Sequence, residues 1–417
     1  MKKYLFVVLL VISGYALKAQ FEQPQLRGDD FEKVNVKLGG DFALQYQILD
    51  HHADSALIPL GTGFNLPTAN MTVDVDLAKG MRLNLEVFLS SRHHNEAWVK
   101  GGYFVMDELP FIHSDWISNL MDKMTITIGD MEINYGDAHF RRSDNGNVTR
   151  NPFVGNYIMD AYTTAPSLEV MYRNNGIILM GALSTGQLRQ DLTVYDGTTH
   201  TYTDYDALKE IGAYWKVGYD RNFKEKIRGR LTVSGYHMPE KNHRNTLYGG
   251  DRAGSRYYLV MNRQTFSPTD VDIKANHLNT YFSPGAATKT NAFMVNLFSR
   301  IYGFEFFGTY ENATGLYPSS KEFEFNQFAV EGLYRFGNEE QFFGGARYNY
   351  VKGNTDSKNP QSIDKSVNRI QIGAGWFLLK STVVKVEYVK QNYNDFINEF
   401  GADAGFDGFM VEAAISF

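Results

Sequence analysis

Strict alternation of apolar and polar side chains in the hairpin 367–391 constrains this sequence more than any other feature. In its first arm, Ile372 and Trp376 share one parity, while Arg369 and Gln371 occupy the other. Because successive side chains of a β-strand point to opposite faces, each arm presents one apolar and one polar face. In a soluble sheet the apolar face packs beneath a second layer. In a transmembrane barrel it meets lipid, and the polar face borders the lumen.

The same alternation recurs in pairs of segments along the chain. Residues 69–77 and 81–89 alternate on either side of a short turn, and Asn175-Gly176 is a dipeptide that favours a tight hairpin turn. Short connections fall near residues 79, 174, 222, 302, 338 and 380, and long ones at 48–67, 131–160, 187–208, 238–289, 312–324, 353–366 and 393–407. Short turns at one end and long loops at the other are typical of outer-membrane barrels.

The number of alternating arms sets the expected architecture. It predicts an all-β fold, a transmembrane antiparallel up-and-down β-barrel of sixteen strands. Eighteen strands result if residues 257–262 and 271–279 form an additional hairpin. The connection 107–123 interrupts the alternation, and its sequence predicts a short helix there.

The amino-terminal residues have the pattern of a secretory leader. A basic start and an apolar run over residues 4–12 precede Ala19, which supplies a cleavage position. We therefore predict a signal peptide at 1–19 and a mature barrel at 20–417, with residues 21–32 as a loose periplasmic start. No later stretch approaches the ~18 consecutive apolar residues of a membrane helix, so a membrane-spanning form of this chain must be a closed barrel.

Composition favours a β-rich protein and argues against nucleic-acid binding and cysteine-based sites. The 26 Tyr and 30 Phe suit aromatic girdles on a barrel, although a secreted β-sandwich also accommodates them. The net charge of −6 and the lack of a basic stripe argue against a nucleic-acid partner. Cysteine is absent from the sequence, which rules out disulfides and thiolate metal sites, and we predict no cofactor.

Two stretches carry a resemblance to a known family. The final strand, 409–417, alternates and ends on Phe417, which resembles the end signal read by the outer-membrane barrel assembly machinery of Gram-negative bacteria. The stretch 126–130 followed by 133–137 is similar to a region of phosphate-selective-porin-like barrels. The chain thus resembles an outer-membrane β-barrel porin of the Bacteroidetes type, in which a strand with Gly runs into a loop that folds inward. The Lys ladder by which those porins resemble one another is not evident here.

The polar parity of the strands supplies candidate residues for a pore lining. Acidic and basic side chains are nearly balanced on this parity, which predicts no strong bulk selectivity. Two arrangements stay open: acidic and basic walls with a transverse field between them, or mutual ion pairing that fills the lumen. The candidates are Lys216, Arg228, Arg230, Arg347, Arg369, Lys385 and Glu387.

The long polar connection 131–160 is the best candidate for a constriction. It follows the strand that carries the family resemblance and is rich in Gly, Asn, Asp and Arg. A simple external loop is the alternative. The candidate constriction residues are Asp137, His139, Arg141, Arg142 and Asp144, with Arg150 further along.

Motifs for metal binding and catalysis are weak. His93, His94 and Glu96 stand together, but adjacent strand side chains point to opposite faces, so joint ligation needs a loop. Ser90 or Ser91 near His93 is the nearest approach to a catalytic triad, and no lipase-type Gly-x-Ser-x-Gly accompanies it. We therefore predict neither a metal site nor an enzyme.

The predicted function is a passive channel for small hydrophilic or anionic solutes in the outer membrane of a Gram-negative bacterium. Size exclusion and the charges that line a narrowed lumen would select the solute. The alternative is a barrel with a closed lumen that serves assembly or surface binding. Expected partners are outer-membrane lipid, the barrel assembly machinery and small solutes, while the sequence leaves homotrimer and monomer open.

Overall fold

The computed structural model describes residues 21–25, 31–90, 97–143, 148–188, 193–196, 198–204, 211–240, 244–250, 253–264 and 277–417. The predicted signal peptide lies outside these ranges. So do His93, His94, Glu96, Ser91 and Asp144. Within the described ranges, three or more His, Asp or Glu side chains never converge as a metal site would require.

Sixteen long antiparallel strands form one closed sheet, which confirms the predicted fold class and strand number. Each strand pairs with its neighbours in the sequence. In chain order they are β1 Asn35–His52, β2 Thr68–Ala78, β3 Met81–Ser90, β4 Ala97–Met106, β5 Met124–Glu132, β6 Thr164–Asn174, β7 Ile177–Ser184, β8 Gly212–Lys224, β9 Ile227–Met238, β10 Lys289–Ile301, β11 Phe304–Leu316, β12 Glu322–Phe336, β13 Phe342–Asn354, β14 Lys365–Leu379, β15 Thr382–Asn394 and β16 Ala404–Ser416. A two-residue strand, Gly63–Phe64, adds to β1, and Thr193–Asp196 pairs with Thr201–Asp204 in a separate ribbon.

The first and last long strands pair and close the barrel. Their register runs from Asp41 opposite Ser416 to His52 opposite Gly405. On the far side, β9 pairs directly with β10 along its whole length. The described residues of 239–288 therefore lie outside the barrel sheet, and the eighteen-strand alternative is wrong. Closure leaves no long unpaired edge, which a barrel exposed to lipid requires.

The two ends of the barrel differ. One, the turn end, carries the short connections and the short helix α1, Asp115–Met121, which confirms the helix predicted for 107–123. At the tight turn between β6 and β7, Asn175 and Gly176 both have positive φ, 50° and 90°, as a hairpin turn of the favoured twist requires. The opposite end, the loop end, carries the longer connections.

One predicted long connection is short. The sequence predicts a loop over 312–324, but pairing continues to Leu316 opposite Glu322, so only residues 317–321 connect β11 to β12. The strands extend because Phe323 and Phe325 face the interior and pack there, at 1% and 0% exposure. These two strands are therefore longer than a membrane span requires.

The outer face of the sheet is apolar and exposed. Ile372 and Leu231 are 56% and 50% exposed, whereas their sequence neighbours Gln371 and Thr232 are fully buried. At the turn end, exposed and half-buried aromatic rings form a continuous row across β11–β14, with centroid distances of 4.6 to 5.9 Å. Such a belt with an aromatic margin is typical of membrane barrels. The row contains Phe304, Tyr334, Phe336, Phe342 and Trp376.

The core of the molecule lies inside the barrel. The described residues of two connections at the loop end fold inward and supply much of this core. We call these connections the inward loop, 133–163 between β5 and β6, and the second inward loop, 239–288 between β9 and β10. Ile158 of the first and Tyr257 of the second are fully buried. In the described ranges, helices that combine the length and the hydrophobicity for crossing a bilayer are absent.

Candidate functional site

The inward loop is held against the barrel wall by its own backbone. The amide of Val154 donates to a carboxylate oxygen of Glu387 at 2.8 Å, and the amide of Ile158 donates to Oδ1 of Asn349 at 2.7 Å. Since β13 and β15 alternate strictly, these acceptors point inward, where an irregular backbone needs hydrogen-bond partners. The loop is therefore fixed in one position across the lumen.

A buried ionic cluster fixes the middle of the inward loop. The guanidinium of Arg141 binds Glu305 at 2.9 Å and Glu331 at 3.0 Å. Arg347 binds the other oxygen of Glu331 at 2.7 Å, and the hydroxyl of Tyr157 donates to the same oxygen. All of these side chains are nearly fully buried. Buried charges of opposite sign that are held by several ion pairs and hydrogen bonds make this an anchor for the inward loop.

The start of the inward loop binds a second cluster. Asp137 accepts from Arg230 at 2.8 Å through both carboxylate oxygens, lies 3.2 Å from Nζ of Lys216, and accepts from the hydroxyl of Thr232 at 2.7 Å. Burial by itself raises the pKa of Asp137, but the charges of Arg230 and Lys216 reverse this and hold the pKa well below its usual range. Asp137 is therefore ionised at any physiological pH.

The amino-terminal segment 21–25 enters the lumen from the turn end. Glu22 binds Arg230 at 2.6 Å, and Phe21 packs edge-on against Phe298 at 5.2 Å. The backbone carbonyl of Gln23 accepts from Arg173 at 2.8 Å. The expectation of a loose start is therefore wrong for these residues. The sequence carries no local signal for this insertion, because its partners lie far away in the chain.

The second inward loop binds further charged side chains of the barrel wall, both acidic and basic. The hydroxyl of Tyr257 donates to Glu387 at 2.5 Å, and that of Tyr248 donates to Glu311 at 2.6 Å. Arg369 donates to the carbonyl of Asn156 at 2.6 Å and to that of Thr280 at 3.4 Å, so it joins both loops. The sequence predicted one inward loop, whereas the described residues contain two inward loops and the inserted segment 21–25.

The predicted pore-lining residues all lie on interior faces of the strands. There they are covered by the two inward loops and the segment 21–25. Arg228 is the most exposed of them, with 21% of its side chain accessible, and it pairs with Asp220 at 2.6 Å. Lys385 contacts the carbonyls of Val148 and Asn151, both at 3.1 Å, and also pairs with Glu412. Mutual ion pairing thus occupies this wall. Lys216, Arg230, Arg347, Arg369, Lys385 and Glu387 are at most 2% exposed.

The predicted constriction residues stay with the inward loop. Asp137 and Arg141 bind the barrel wall, whereas Arg142 binds Asp160 of the same loop at 2.8 Å and lies over the ring of Tyr162 at 4.0 Å. His139 hydrogen-bonds Glu132 at the end of β5. The structure therefore brings four of the five residues into one inserted segment. The fifth, Asp144, is outside the described ranges.

Two cavities large enough for a small molecule border the described part of the inward loop. The first, of about 320 Å³, lies against β1–β6 and is bounded by Glu22, Asp74, Glu86 and Tyr103 among others. The second, of about 420 Å³, lies at the turn end between the inward loop and residues 338–341 and 377–380. Both are within the size range of small-molecule sites, ~300–1,000 Å³.

Comparison with known proteins gives the fold a context. Protein-family models do not match this chain, and neither does any curated protein sequence. Solved structures do match across nearly the whole length. The outer membrane channel DcaP of Acinetobacter baumannii has a TM-score of 0.53 and 10% identity, covering 92% of this chain and 98% of that one.

Two further solved structures have the same fold. A loop L8 deletion mutant of OmpT, an outer membrane protein of Vibrio cholerae, has a TM-score of 0.52 and 12% identity, covering 93% of this chain and 100% of its own. An anion-selective porin from Comamonas acidovorans has a TM-score of 0.50 and 12% identity, covering 92% and 100%. At such identities the likeness is one of fold: this chain has the sixteen-strand barrel found in outer-membrane proteins.

Proposed function

We propose that this protein is an outer-membrane barrel that acts as a narrow passive channel for small hydrophilic solutes. The observation that carries the proposal is the inward loop, which crosses a polar lumen and leaves cavities of about 320 and 420 Å³ beside it. The apolar outer belt supports a position in lipid, with the short turns on the periplasmic side. The solved channels that share the fold agree with this function.

The packed loops select solutes by size. Selection by charge depends on how the charged side chains of the lumen are arranged locally. The interior cations Arg230, Arg347 and Lys385 are neutralised by Asp137, Glu331 and Glu412. We therefore propose that these residues position the inserted segments and that the channel has no strong overall preference for anions. Covalent chemistry has no part in the proposal.

Conductance of the purified protein in planar bilayers tests the channel. We expect small, steady steps from the native protein. Replacing residues 148–157 of the inward loop with a short Gly-Ser linker should raise the conductance severalfold, because this segment fills the centre of the lumen. The same replacement at 355–364, a connection outside the barrel, is the matched control and should leave the conductance unchanged.

A barrel with a closed lumen is the second candidate, and one observation favours it. Inside the lumen, Val154 and Ile158 of the inward loop and Tyr257 and Val260 of the second inward loop are buried to 0% exposure. The variant in which a Gly-Ser linker replaces residues 148–157 distinguishes the open channel from the closed barrel. A silent native protein whose shortened variant conducts would mean that the lumen is sealed and that the protein acts through its outer loops.

The location and assembly proposals follow from the ends of the chain. We infer a secreted precursor with a signal peptide at 1–19, delivery to the outer membrane of a Gram-negative bacterium, and recognition of the strand ending at Phe417 by the barrel assembly machinery. We also propose a homotrimer, because one solved structure of the OmpT protein of Vibrio cholerae, which shares this fold, is a trimer form. Light scattering of the detergent-purified protein tests this, since a monomeric mass would overturn it.

A further inference from the structure

One arginine of the inward loop borders both cavities. Arg150 lies on the boundary of the first cavity, together with Asp41, Asp74 and Glu86, and on that of the second, together with Arg300 and others. A solute that enters either cavity therefore comes close to the side chain of Arg150.

Arg150 differs from the other described cations of the lumen because its guanidinium has no close partner among the described residues. Among the described residues it forms no hydrogen bond and no ion pair, and its side chain is half-buried. Burial lowers the pKa of Arg150, and the charge of Asp41 acts in the opposite direction without forming an ion pair. An arginine that has lost water and gained no partner is a strong binding group for an incoming carboxylate.

The charge of the lining differs between the cavities. The first has six acidic residues against three arginines, a net charge of 3 − 6 = −3. The second has four basic residues against three acidic ones, a net charge of 4 − 3 = +1. On the acidic side, Asp41 and Asp74 pair with none of the Lys or Arg side chains that the structure describes. Oδ1 of Asp41 has no hydrogen-bond partner, and Asp74 accepts from Asn84 at 2.7 Å.

From this arrangement we propose that the channel selects small zwitterions, such as free amino acids. Arg150 binds the solute carboxylate through paired N–H groups, and the wall that carries Asp41 and Asp74 attracts the solute ammonium group. A solute with both charges satisfies both groups at once. An anion meets the repulsion of the acidic wall, and a cation meets that of Arg150. This inference rests on the proposed channel function and adds the class of solute.

Cysteine labelling tests the proposal in detergent, where conduction is not needed. The chain has no cysteine, so Thr149→Cys places a single thiol beside Arg150, on the lining of the second cavity. Its modification rate is measured with an anionic sulfonatoethyl and a cationic trimethylammonioethyl methanethiosulfonate. Arg150→Gln in this background should lower the anionic-to-cationic rate ratio by about tenfold, because the local positive potential is lost.

Protection by solutes of equal size then tests zwitterion binding. Alanine, lactate, alaninamide and propane-1,2-diol are compared, and alanine should slow the labelling most. Arg150→Gln should weaken the protection by alanine by about tenfold, as expected for a lost charge-assisted pair. Asp41→Asn and Asp74→Asn should weaken the protection by alanine and spare that by lactate. The matched control is Arg221→Gln, an exposed arginine of β8 that binds the hydroxyl of Tyr219.

The outcomes separate this inference from the proposed function. Equal protection by alanine and lactate, or protection that Arg150→Gln leaves unchanged, would overturn zwitterion selection even if the protein conducts. Protection that follows the expected order in a protein without conductance would overturn the channel and leave the binding site intact. Migration of each variant as a folded barrel in unheated detergent gels shows that the substitutions have not unfolded it.

Discussion

Glu331 balances two buried cations at once. It binds Arg141 of the inward loop and Arg347 of the wall, and it also accepts from Tyr157. A buried pair contributes little relative to a well-packed apolar pair, but the loss of one partner leaves an uncompensated charge. The position of the inward loop therefore depends strongly on this single carboxylate.

Neutralising Glu331 should destabilise the protein severely. For Glu331→Gln we expect a loss of about 3–5 kcal/mol in the free energy of unfolding, because two guanidiniums stay buried without a full counter-charge. Denaturant titration in lipid vesicles measures it. Glu339→Gln is the control: its pair with Lys380 is 3.0 Å long, but the Glu339 side chain is 71% exposed. That change should cost less than about 1 kcal/mol, and equal costs would contradict the anchor role.

Insertion of the segment 21–25 should depend on pH through Glu22. Burial by itself raises the pKa of Glu22, but Arg230 and Lys216 outweigh it and bring the pKa to about 2 from its usual 4.5. Because the pKa is lower in the inserted state, the contribution is complete above pH 4.5 and is lost as the pH falls from 4.5 through 2. A shift of this size corresponds to about 3 kcal/mol.

A dye on Gln23→Cys should report this release. We expect its emission to shift as the pH falls below 4.5, since the segment leaves the lumen for water. Glu22→Gln should show weaker insertion at neutral pH and should lack the Glu22-dependent shift. A shift of the same size and midpoint in Glu22→Gln would assign the transition to another group.

The strand is the element at which the sequence is most informative. In β14, Arg369 and Gln371 face the lumen at 0% exposure, while Ile370 and Ile372 are 45% and 56% exposed. This division follows the sequence parity because period two is a property of the extended backbone itself. The end of a strand is less predictable, as β11 and β12 show, since it depends on what the interior packs against.

A charge on the outer belt tests whether that belt faces hydrocarbon. Ile372 lies at the middle of β14, and Ile372→Arg should cost about 2–4 kcal/mol in lipid vesicles if it is near the bilayer midplane. Ile363→Arg is the control, because Ile363 is 67% exposed in a connection outside the strands. Denaturant titration compares the two. Equal stability of both variants would argue against a lipid-facing belt.

At the scale of the whole molecule, closure of the sheet decides stability. Val411 of β16 pairs with Tyr46 of β1 on one side and with Val386 of β15 on the other. The strand thus joins the two ends of the chain, and an unpaired seam would leave backbone groups without partners in lipid.

A proline in the seam should prevent closure. Val411→Pro removes a ladder N–H and should cost about 3 kcal/mol or more, which reduces the fraction that migrates as a folded barrel in unheated detergent gels. Val411→Ala keeps the amide and should migrate almost as the native protein does. Normal closure of Val411→Pro would contradict the pairing of β16 with β1.

By itself, the sequence determined the barrel: its strands, its inward and outward faces, and the alternation of short and long connections. These follow from local rules, since strand parity and turn residues act within a few positions. Only the tertiary structure decided what fills the lumen. Arg230 was recognised as an interior residue, but its partners Glu22 and Asp137 lie 208 and 93 positions away in segments without regular periodicity. Irregular segments are positioned by distant charges and hydrogen-bond partners, and no local pattern in one sequence encodes that pairing.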